Sequence, residues 1–459
     1  MSRPSKTATP HPVPPTDDAP TLVGEKGEPL VFLHVGDLHL TDPPAQNALD
    51  LAAILHQIRQ IPQPLFDFVY LPGDLAENGC AAEYKILSDA LMVGRRLPIR
   101  LIPGDHDRQL DRMDDFEAFY MGLQQAFALP VPVDWALDQP PTECPPPGKP
   151  TAWPSTNIRH YYSSAVVRGV RCLFLDIVSP GYGRKGVGLD FRLGVRQMLW
   201  LNGELVAAAK AGEAVAVFMH AYPDDLREPD DRADVAGLFW EAGVRLVEMG
   251  HTHYNELAHD GRTLYAAARS VGQNEDGSVG YAVSAIDGPV ASWRFKALDR
   301  SWPFVLITSP ADRRVATRPV TNENAGMVGD GRGRIKVRAV VLSDVPPKYV
   351  HCRAGTGAWH AMEALTSATS ATARVYEVWL PWPKDARKIQ VEAVNESWKG
   401  HGPDHVDTDV IEPVSFTEWD LTAPMIPDKP GSDVPRVDAW VQKGVRGDQL
   451  GPNRAGRKW

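Results

Sequence analysis

The sequence predicts an α/β domain followed by an all-β domain, and two observations carry that prediction. Between about Gly27 and Asp299, short apolar β-type runs alternate with amphipathic helical stretches, which is typical of an α/β layer architecture. From about Ser301, short β-type runs are separated by turn residues, which is typical of an immunoglobulin-like β-sandwich. The expected organisation is a tail over residues 1–26, an α/β domain over 27–300, a β-sandwich over 301–443 and a basic tail over 444–459.

The α/β part begins with the predicted order β-α-β-α-β. Three buried strands are predicted in LVFLHVGDLHL, FDFVYLPGDL and RLIPGDHD, each with a Gly-Asp turn, and two helices in NALDLAAILHQIRQI and AAEYKILSDALMVG. Further along, a hairpin is predicted in RHYYSSAVVRGVRCLFLDI around Arg168 and Gly169, and a helix that ends at Gly212 in RQMLWLNGELVAAAKAG. Two more apolar strands, AVAVFMH and VRLVEMGHTH, end in histidine.

Composition limits the setting in which this chain works. The first 26 residues lack the apolar region of a signal peptide and are expected to form a disordered tail, and the Pro-rich segment 138–154 is expected to be irregular. No apolar run approaches the about 20 residues that cross a bilayer. The four cysteines contain no Cys-x-x-Cys pair, which is typical of reduced thiols. We therefore expect a cytoplasmic protein with no membrane segment.

Aspartate and histidine stand at the carboxyl ends of five predicted strands. Asp37 and His39 are two residues apart, so on an extended segment both would point to one face. The other strand ends carry Asp74, Asp105, His220, His251 and His253. Because ligands of open α/β sheets collect beyond the carboxyl ends of strands, these side chains are expected to converge. Mixed carboxylate and imidazole ligands favour zinc, iron or manganese over calcium.

The chain resembles the calcineurin-like metallophosphoesterase superfamily through an ordered set of motifs. The set is Asp37-x-His39, Gly73-Asp74, Gly104-x-His106-Asp107, His220 and Gly250-His251-x-His253. The segment GDLAENG and the length of the α/β part are also similar to the bacterial cyclic-nucleotide and glycerophosphodiester phosphodiesterase branch. The resemblance covers about residues 30–297 and implies a four-layer α/β/β/α sandwich with a dinuclear metal site. It does not reach the C-terminal β-rich region.

The resemblance also implies roles for individual residues. One metal ion would be held by Asp37, His39, Asp74 and His253, and the second by Asp74, Asp105, His220 and His251. His106 would stabilise phosphoryl oxygens or protonate the leaving alkoxide, and Asp107 would orient its imidazole. The expected cofactors are two divalent ions, or a mixed-valence pair, drawn from manganese, iron, zinc and cobalt. The implied reaction is hydrolysis of a small phosphodiester by attack of a metal-bound hydroxide.

Asp105 departs from the family pattern, which carries asparagine at this position. With Asp105 ionised, the carboxylate ligands sum to a charge of −3 instead of −2. The extra charge should tighten binding of the second metal, but it should also raise the pKa of the bound water and repel an anionic phosphate. Three interpretations are open: a natural ligand suited to a more highly charged ion, an introduced substitution that slows turnover, or a site that has drifted away from catalysis.

Other functions and partners are weighed beside the phosphodiesterase. A phosphomonoesterase of the same fold and a non-catalytic metal-site scaffold that binds a protein both stay open. Purple acid phosphatases, which are similar in fold, carry a tyrosine ligand where this chain has Glu77, so a ferric-tyrosinate site is not expected. The net charge of −10 disfavours a nucleic-acid partner. A homo-oligomer is left open, and His34 is expected to be structural.

Overall fold

The computed structural model describes most of the chain between residues 28 and 414. The described ranges are 28–62, 64–108, 113–136, 157–180, 190–226, 229–259, 262–274, 278–313, 315–317, 326–365, 374–396 and 404–414. The predicted tails over 1–26 and 444–459 and the Pro-rich segment 138–154 lie outside these ranges. The predicted domain boundaries stay predictions.

Strands and helices alternate through the first part of the chain. The helices are α1 Gln46–Gln60, α2 Ala81–Met92, α3 Asp114–Phe127, α4 Gly194–Ala211 and α5 Pro229–Ala242. The strands are β1 Leu30–His34, β2 Phe68–Leu71, β3 Ile99–Leu101, β4 Val133–Ala136, β5 Asn157–His160, β6 Ser163–Val167, β7 Val170–Phe174, β8 Ala214–Phe218, β9 Leu246–Met249, β10 Glu256–His259, β11 Leu264–Ala267, β12 Gly280–Asp287 and β13 Val290–Ala297. None of the helices described combines the length and hydropathy that crossing a membrane requires.

Most of the elements predicted from sequence are present. The hairpin of β6 and β7 turns at Arg168 and Gly169, which both have positive φ, as a two-residue hairpin turn requires. The helix predicted before Gly212 ends there, with Gly212 in the left-handed region. The sequence analysis did not predict α3 and α5. It also merged β5 into the hairpin, whereas β5 pairs with β4 in a separate two-stranded sheet.

Two mixed sheets form the centre of this part. The first has the order β13-β12-β1-β2-β3, in which β1, β2 and β3 run parallel. The second has the order β10-β11-β9-β8-β7-β6, in which β7, β8, β9 and β11 run parallel. The parallel strands of each sheet therefore direct their carboxyl ends to one edge, as the sequence analysis expected.

Hydrophobic clusters show how the layers stack. In β1, Leu30 and Phe32 belong to the cluster between the two sheets, whereas Val31 and Leu33 belong to the cluster beneath α1, α2 and α3. The helices α4 and α5 cover the outer face of the second sheet. Alternation with period two along strands that are buried on both faces produces this stacking. The α/β/β/α sandwich that the sequence predicts is confirmed.

A buried polar pair joins the two sheets. His34 Nδ1 in β1 lies 2.7 Å from Glu248 Oε2 in β9, and Ser284 Oγ in β12 donates to Glu248 Oε1 at 2.5 Å. All three side chains are fully buried. Because a buried charge needs a hydrogen-bonding partner, this pair constrains how the sheets sit against each other. The structural role expected for His34 agrees with these contacts.

The C-terminal part is an all-β sandwich, as predicted. Its strands are β14 Phe304–Ser309, β15 Arg334–Leu342, β16 Tyr349–Ala354, β17 His360–Ala361, β18 Glu363–Leu365, β19 Val375–Pro381, β20 Ile389–Asn395 and β21 His405–Ile411. They form two antiparallel sheets, with the orders β14-β15-β19-β18 and β17-β16-β20-β21. Apolar residues from both sheets, such as Val337 and Val391, fill the core between them.

The sandwich is attached to the α/β part by apolar packing and buried ion pairs. Leu306 and Val340 share a hydrophobic cluster with α1 and α2. Arg374, directly before β19, contacts the carboxylate of Asp67 at 3.3 Å, and Arg168 donates to the same carboxylate at 2.6 Å. The three side chains are at most 6% exposed. Asp67 therefore compensates two buried guanidinium groups, one from each part of the chain.

Substitution of Asp67 by alanine should destabilise the protein strongly. Removal of the shared carboxylate would leave two arginines buried with reduced charge compensation, so the free energy of unfolding should fall by about 3 kcal/mol. Denaturant unfolding followed by circular dichroism measures the change. Asp89→Ala removes an exposed ion pair with Lys85 and serves as the control, with an expected loss below about 0.5 kcal/mol. Equal losses for the two variants would contradict this account.

Candidate metal centre

The candidate site lies where the carboxyl ends of the parallel strands of both sheets meet. Each predicted ligand follows one of five strands within a few residues: Asp37 and His39 follow β1, Asp74 follows β2, Asp105 follows β3, His220 follows β8, and His251 and His253 follow β9. The structure brings all seven side chains together. Convergence at the strand ends was expected from sequence, and two face-to-face sheets supply those ends.

The seven side chains form two groups that share one residue. The first group is Asp37, His39, Asp74 and His253, and the second is Asp74, Asp105, His220 and His251. Within each group, one ligand atom from every residue lies within 4.8 Å of the others. The division is the one implied by the family resemblance, with Asp74 between the two groups.

Distances around Asp74 and Asp105 suit shared coordination. Asp74 Oδ2 lies 3.6 Å from His39 Nε2 in one group and 3.4 Å from His220 Nε2 in the other. Asp105 Oδ1 lies 2.9 Å from His220 Nε2 and 3.1 Å from His251 Nδ1. Two ligand atoms that bind the same ion at about 2.1 Å, with a ligand–ion–ligand angle of about 90–110°, are about 3.0–3.4 Å apart. The donor atoms are therefore spaced as ligands would be.

Two carboxylate oxygens in the centre lack a hydrogen-bond donor. Asp37 Oδ1 and Asp74 Oδ2 are buried, and neither accepts a hydrogen bond from any described residue. An ionised oxygen buried in this way is costly unless a cation compensates it. The oxygen of Asp74 that lacks a donor is also the one that faces histidines of both groups. The residues present thus fit two metal ions with Asp74 as the bridging ligand.

The backbone at the centre is in an unusual conformation. His39, Asp74, His251 and His253 have φ between 43° and 64°, a left-handed region that non-glycine residues seldom occupy. Such conformations cost about 1–3 kcal/mol each and cluster at functional sites. The structure also corrects the geometric reason offered from sequence: β1 ends at His34, so Asp37 and His39 converge through a left-handed turn at His39 and not through strand alternation.

Asp107 occupies a different position from the one expected. Its carboxylate accepts hydrogen bonds from the backbone N–H groups of Leu75 and Gly104 and from the hydroxyl of Tyr84. Burial, together with the negative charge of Asp74, raises the pKa of this carboxyl group to about 7. No hydrogen bond joins it to the ring of His106 among the described contacts. Asp107 therefore ties the loops after β2 and β3 together instead of orienting the His106 imidazole.

His106 is held by backbone groups at the edge of the centre. The backbone N–H of His106 donates to Asp74 Oδ1 at 2.8 Å, and its ring Nδ1 lies 2.8 Å from the carbonyl oxygen of Glu77. Because a carbonyl oxygen can only accept, Nδ1 must carry the proton of that hydrogen bond. The ring centroid lies 4.6 Å from that of His39. Nε2 is then the ring atom of His106 that is available for chemistry beside the first group.

Charges within the centre shift the pKa values of the histidines. Burial lowers the pKa of His39, but the hydrogen bond to Glu77 and the charge of Asp74 outweigh it and raise the value to about 9. Carboxylates likewise raise the pKa of His220 and His251 against the effect of burial. Burial would raise the pKa of Asp105, yet its hydrogen bonds to the same two histidines hold it well below the usual range. Without metal, protons on these imidazoles compensate the carboxylates.

Three further residues lie around the centre; from sequence, Glu77 was expected to contact substrate or to have a surface or packing role, and the other two were not singled out. Glu77 Oε2 lies 2.8 Å from His39 Nδ1, and Gln273 Nε2 lies 3.1 Å from the same oxygen of Glu77. The ring of Phe191 packs edge-on against the ring of His251, with centroids 5.1 Å apart. For Glu77, the signal in the sequence was its place three residues after Asp74. Nothing near Gln273 or Phe191 in the sequence indicates their proximity to the histidines.

Binding of two Mn²⁺ ions at pH 7.5 should release roughly two to three protons, because His39, His220 and His251 must lose them to become ligands. Calorimetric titration in buffers of different ionisation enthalpy measures this number. His251→Ala should bind fewer ions and release fewer protons, whereas His56→Ala, an exposed histidine on α1, should match the unsubstituted protein. Heats that do not depend on the buffer would contradict the assignment.

The α/β part of the chain is similar to known proteins. The family model described as calcineurin-like phosphoesterase matches residues 30–255. Among curated proteins, none matches the chain. Solved structures with a similar fold include a dimetal phosphatase from Danio rerio, with 13% identity, a TM-score of 0.40 and coverage of 59% of this chain and 96% of that one.

Two further solved structures are similar at the same level. A purple acid phosphatase from yellow lupin (Lupinus luteus) seeds has 13% identity and a TM-score of 0.39, covering 60% of this chain and 52% of that chain. GAP50, the anchor in the inner membrane complex of Plasmodium, has 14% identity and a TM-score of 0.37, covering 59% and 85%. Residues 30–255, which match the calcineurin-like phosphoesterase model, contain the ordered motifs and both ligand groups.

Proposed function

We propose that this protein is a dinuclear metal-dependent hydrolase of small phosphodiesters. The observation that carries the proposal is the pair of ligand groups that share Asp74. Two adjacent cations are the arrangement with which many enzymes transfer a phosphoryl group to water. The proposal takes Asp37, His39, Asp74, Asp105, His220, His251 and His253 as the ligands, with manganese, iron, zinc or cobalt as the metals.

The protein's contribution to catalysis is to hold groups in place. When bound, the ions would supply positive charge to the phosphoryl oxygens and lower the pKa of water. Asp74 would keep the two ions at a fixed separation, because its unpartnered Oδ2 faces both groups. Because Nδ1 of His106 donates to the Glu77 carbonyl, Nε2 is the ring atom that, when it also carries a proton, would donate to phosphoryl oxygens or protonate the leaving alkoxide.

Charge supports a diester as the preferred substrate. Asp37, Asp74 and Asp105 contribute −3 when ionised, against +4 from two divalent ions, so the centre keeps a surplus of about +1. A phosphodiester carries one negative charge near neutral pH, whereas a phosphomonoester carries close to two. The second negative charge of a monoester would be attracted only weakly by the remaining positive charge. It would also be repelled by Glu77, whose side chain is 31% exposed beside His39. Asp105 is therefore interpreted as a natural ligand that favours monoanionic esters.

A cytoplasmic location is part of the same proposal. Cys80, Cys172 and Cys352 are free thiols in the part of the chain that the structure describes. Free thiols of this kind suit a reducing compartment.

The first test compares an aryl phosphodiester with the matching monoester, using manganese-loaded protein. The unsubstituted chain should favour the diester in kcat/KM, and Asp105→Asn should raise the monoester-to-diester ratio by about 10-fold, because one negative charge is removed near the phosphate. Asp89→Asn, an exposed acid on α2, should leave the ratio unchanged. A chain that becomes active only as Asp105→Asn would show that Asp105 disables the site.

The role of His106 can be separated from metal binding. His106→Ala should lower kcat/KM by about 100-fold for a diester with an alkyl leaving group, and by much less for p-nitrophenolate, which leaves without a proton. The variant should still bind two Mn²⁺ ions, as measured by calorimetry. An equal loss with both leaving groups would assign His106 to stabilising the phosphoryl oxygens instead of protonating the alkoxide.

A further inference from the structure

A hydrogen-bonded cluster that contains no assigned ligand lies behind His39. It consists of Glu77, Gln273 and Ser270. Glu77 Oε2 lies 2.8 Å from His39 Nδ1, and Gln273 Nε2 donates to the same oxygen at 3.1 Å. The N–H of Gln273 donates to Ser270 Oγ at 2.8 Å, and Ser270 Oγ donates to the carbonyl of Asp37 at 2.8 Å. The cluster is thus hydrogen-bonded at both ends to the loop that carries Asp37 and His39.

We propose that Glu77, held in place by Gln273, is a positioning residue that fixes the metal-binding orientation and tautomer of His39. A carboxylate oxygen accepts hydrogen bonds, so the shorter contact, with Glu77 at 2.8 Å, places the ring proton of His39 on Nδ1. The Gln273 amide nitrogen, 3.2 Å from the same Nδ1, then donates to Glu77 and not to the ring. The lone pair of Nε2 then points to the first group, where His253 Nε2 lies 3.0 Å away and Asp74 Oδ2 lies 3.6 Å away. Histidines that bind metals commonly depend on such a partner.

The loop that carries Gln273 is fitted closely to the loop that it braces. The N–H groups of Val271 and Gly272 both bond to the carbonyl of Asp37, at 2.8 and 3.2 Å. A Cβ atom on Gly272 would overlap the carbonyl of Leu38 and the Cβ of His39, so no side chain fits between the two loops. Gln273 therefore reaches Glu77 from a loop that packs closely against the loop of His39.

Glu77 acts on two imidazoles through different atoms. Its side chain bonds to His39, and its backbone carbonyl bonds to His106. One residue therefore sets the orientation of a candidate ligand and of the imidazole that faces the substrate. The inference rests on the proposed function in so far as it assigns His39 to a metal ion, and it concerns ligation and not the ester that is cleaved.

The experiment measures metal binding directly. Mn²⁺ affinity is determined by calorimetry, and the visible absorption of the Co²⁺-loaded protein reports on the ligands, for the unsubstituted chain, Glu77→Ala, Glu77→Gln and Gln273→Ala. Glu77→Ala should weaken one of two ions by about 10–100-fold and change part of the Co²⁺ spectrum. Glu77→Gln should restore affinity to within about fivefold, because its amide oxygen can accept the same hydrogen bond.

Two controls separate positioning from folding. Asp89→Ala removes an exposed carboxylate on α2 and should bind both ions as the unsubstituted chain does. The Tm of each metal-free variant, measured by circular dichroism, shows whether the fold is intact. If Glu77→Ala does not fold, Gln273→Ala supplies the test, since it removes the brace but leaves Glu77, and it should weaken the same ion by a smaller factor.

The outcomes distinguish this inference from the proposed function. A folded Glu77→Ala protein that binds both ions with unchanged affinity and spectrum would overturn the inference, as would a Glu77→Gln protein that is as weak as Glu77→Ala. If Glu77→Ala and Gln273→Ala weaken one ion while the unsubstituted, fully loaded protein hydrolyses no phosphoester, the positioning role stands and the proposed function fails.

Discussion

Three buried carboxylates, those of Asp37, Asp74 and Asp105, must be compensated by positive charge, and much of the structure follows from that requirement. Each ligand group contains two of them, with Asp74 in both groups, so repulsion between the carboxylates adds to the cost of burial. Histidines compensate this charge in the absence of metal: the hydrogen bond to Glu77 and the charges of Asp74 and Asp37 raise the pKa of His39 to about 9 although burial opposes it. Two cations would replace those protons. The same electrostatics therefore connects folding of the centre to its proposed chemistry.

Compensation of charge requires the side chains to be held against backbone strain, and the neighbouring loops supply that support. Asp107 binds the loops after β2 and β3 through the N–H groups of Leu75 and Gly104. On the other side, Ser270 and Gln273 brace the loop that carries Asp37 and His39. These contacts hold the candidate ligands in their left-handed backbone conformations before any ion binds. In a preorganised centre of this kind, little of the binding free energy is spent on ordering the ligands.

The β-sandwich supports this arrangement from a distance. Arg374 meets Asp67 directly before β2, whereas Asp74 lies beyond the carboxyl end of the same strand. Arg338 and Asp287 form another link, and Asp287 is close to Leu30 at the start of β1 through the pairing of β12 with β1. These ion pairs therefore lie at the end of the sheet opposite the metal centre. Through them the sandwich stabilises the first sheet at that end.

Periodic patterns in the sequence determined the alternation of buried strands and amphipathic helices. The four-layer order was implied by the family resemblance that the ordered motifs carry. The sequence also singled out seven candidate ligands, because aspartate and histidine stand in the ordered family motifs at the ends of predicted strands. It could not determine that Asp107 ties loops instead of orienting His106, or that Gln273 braces Glu77. Glu77 and Gln273 are far apart in the chain. The partner of Asp107, next to His106 in the chain, depends on the direction in which its side chain points. Only the tertiary structure decides these contacts, because hydrogen bonds between loops depend on how the sheets pack, and the sequence pattern carries no record of that.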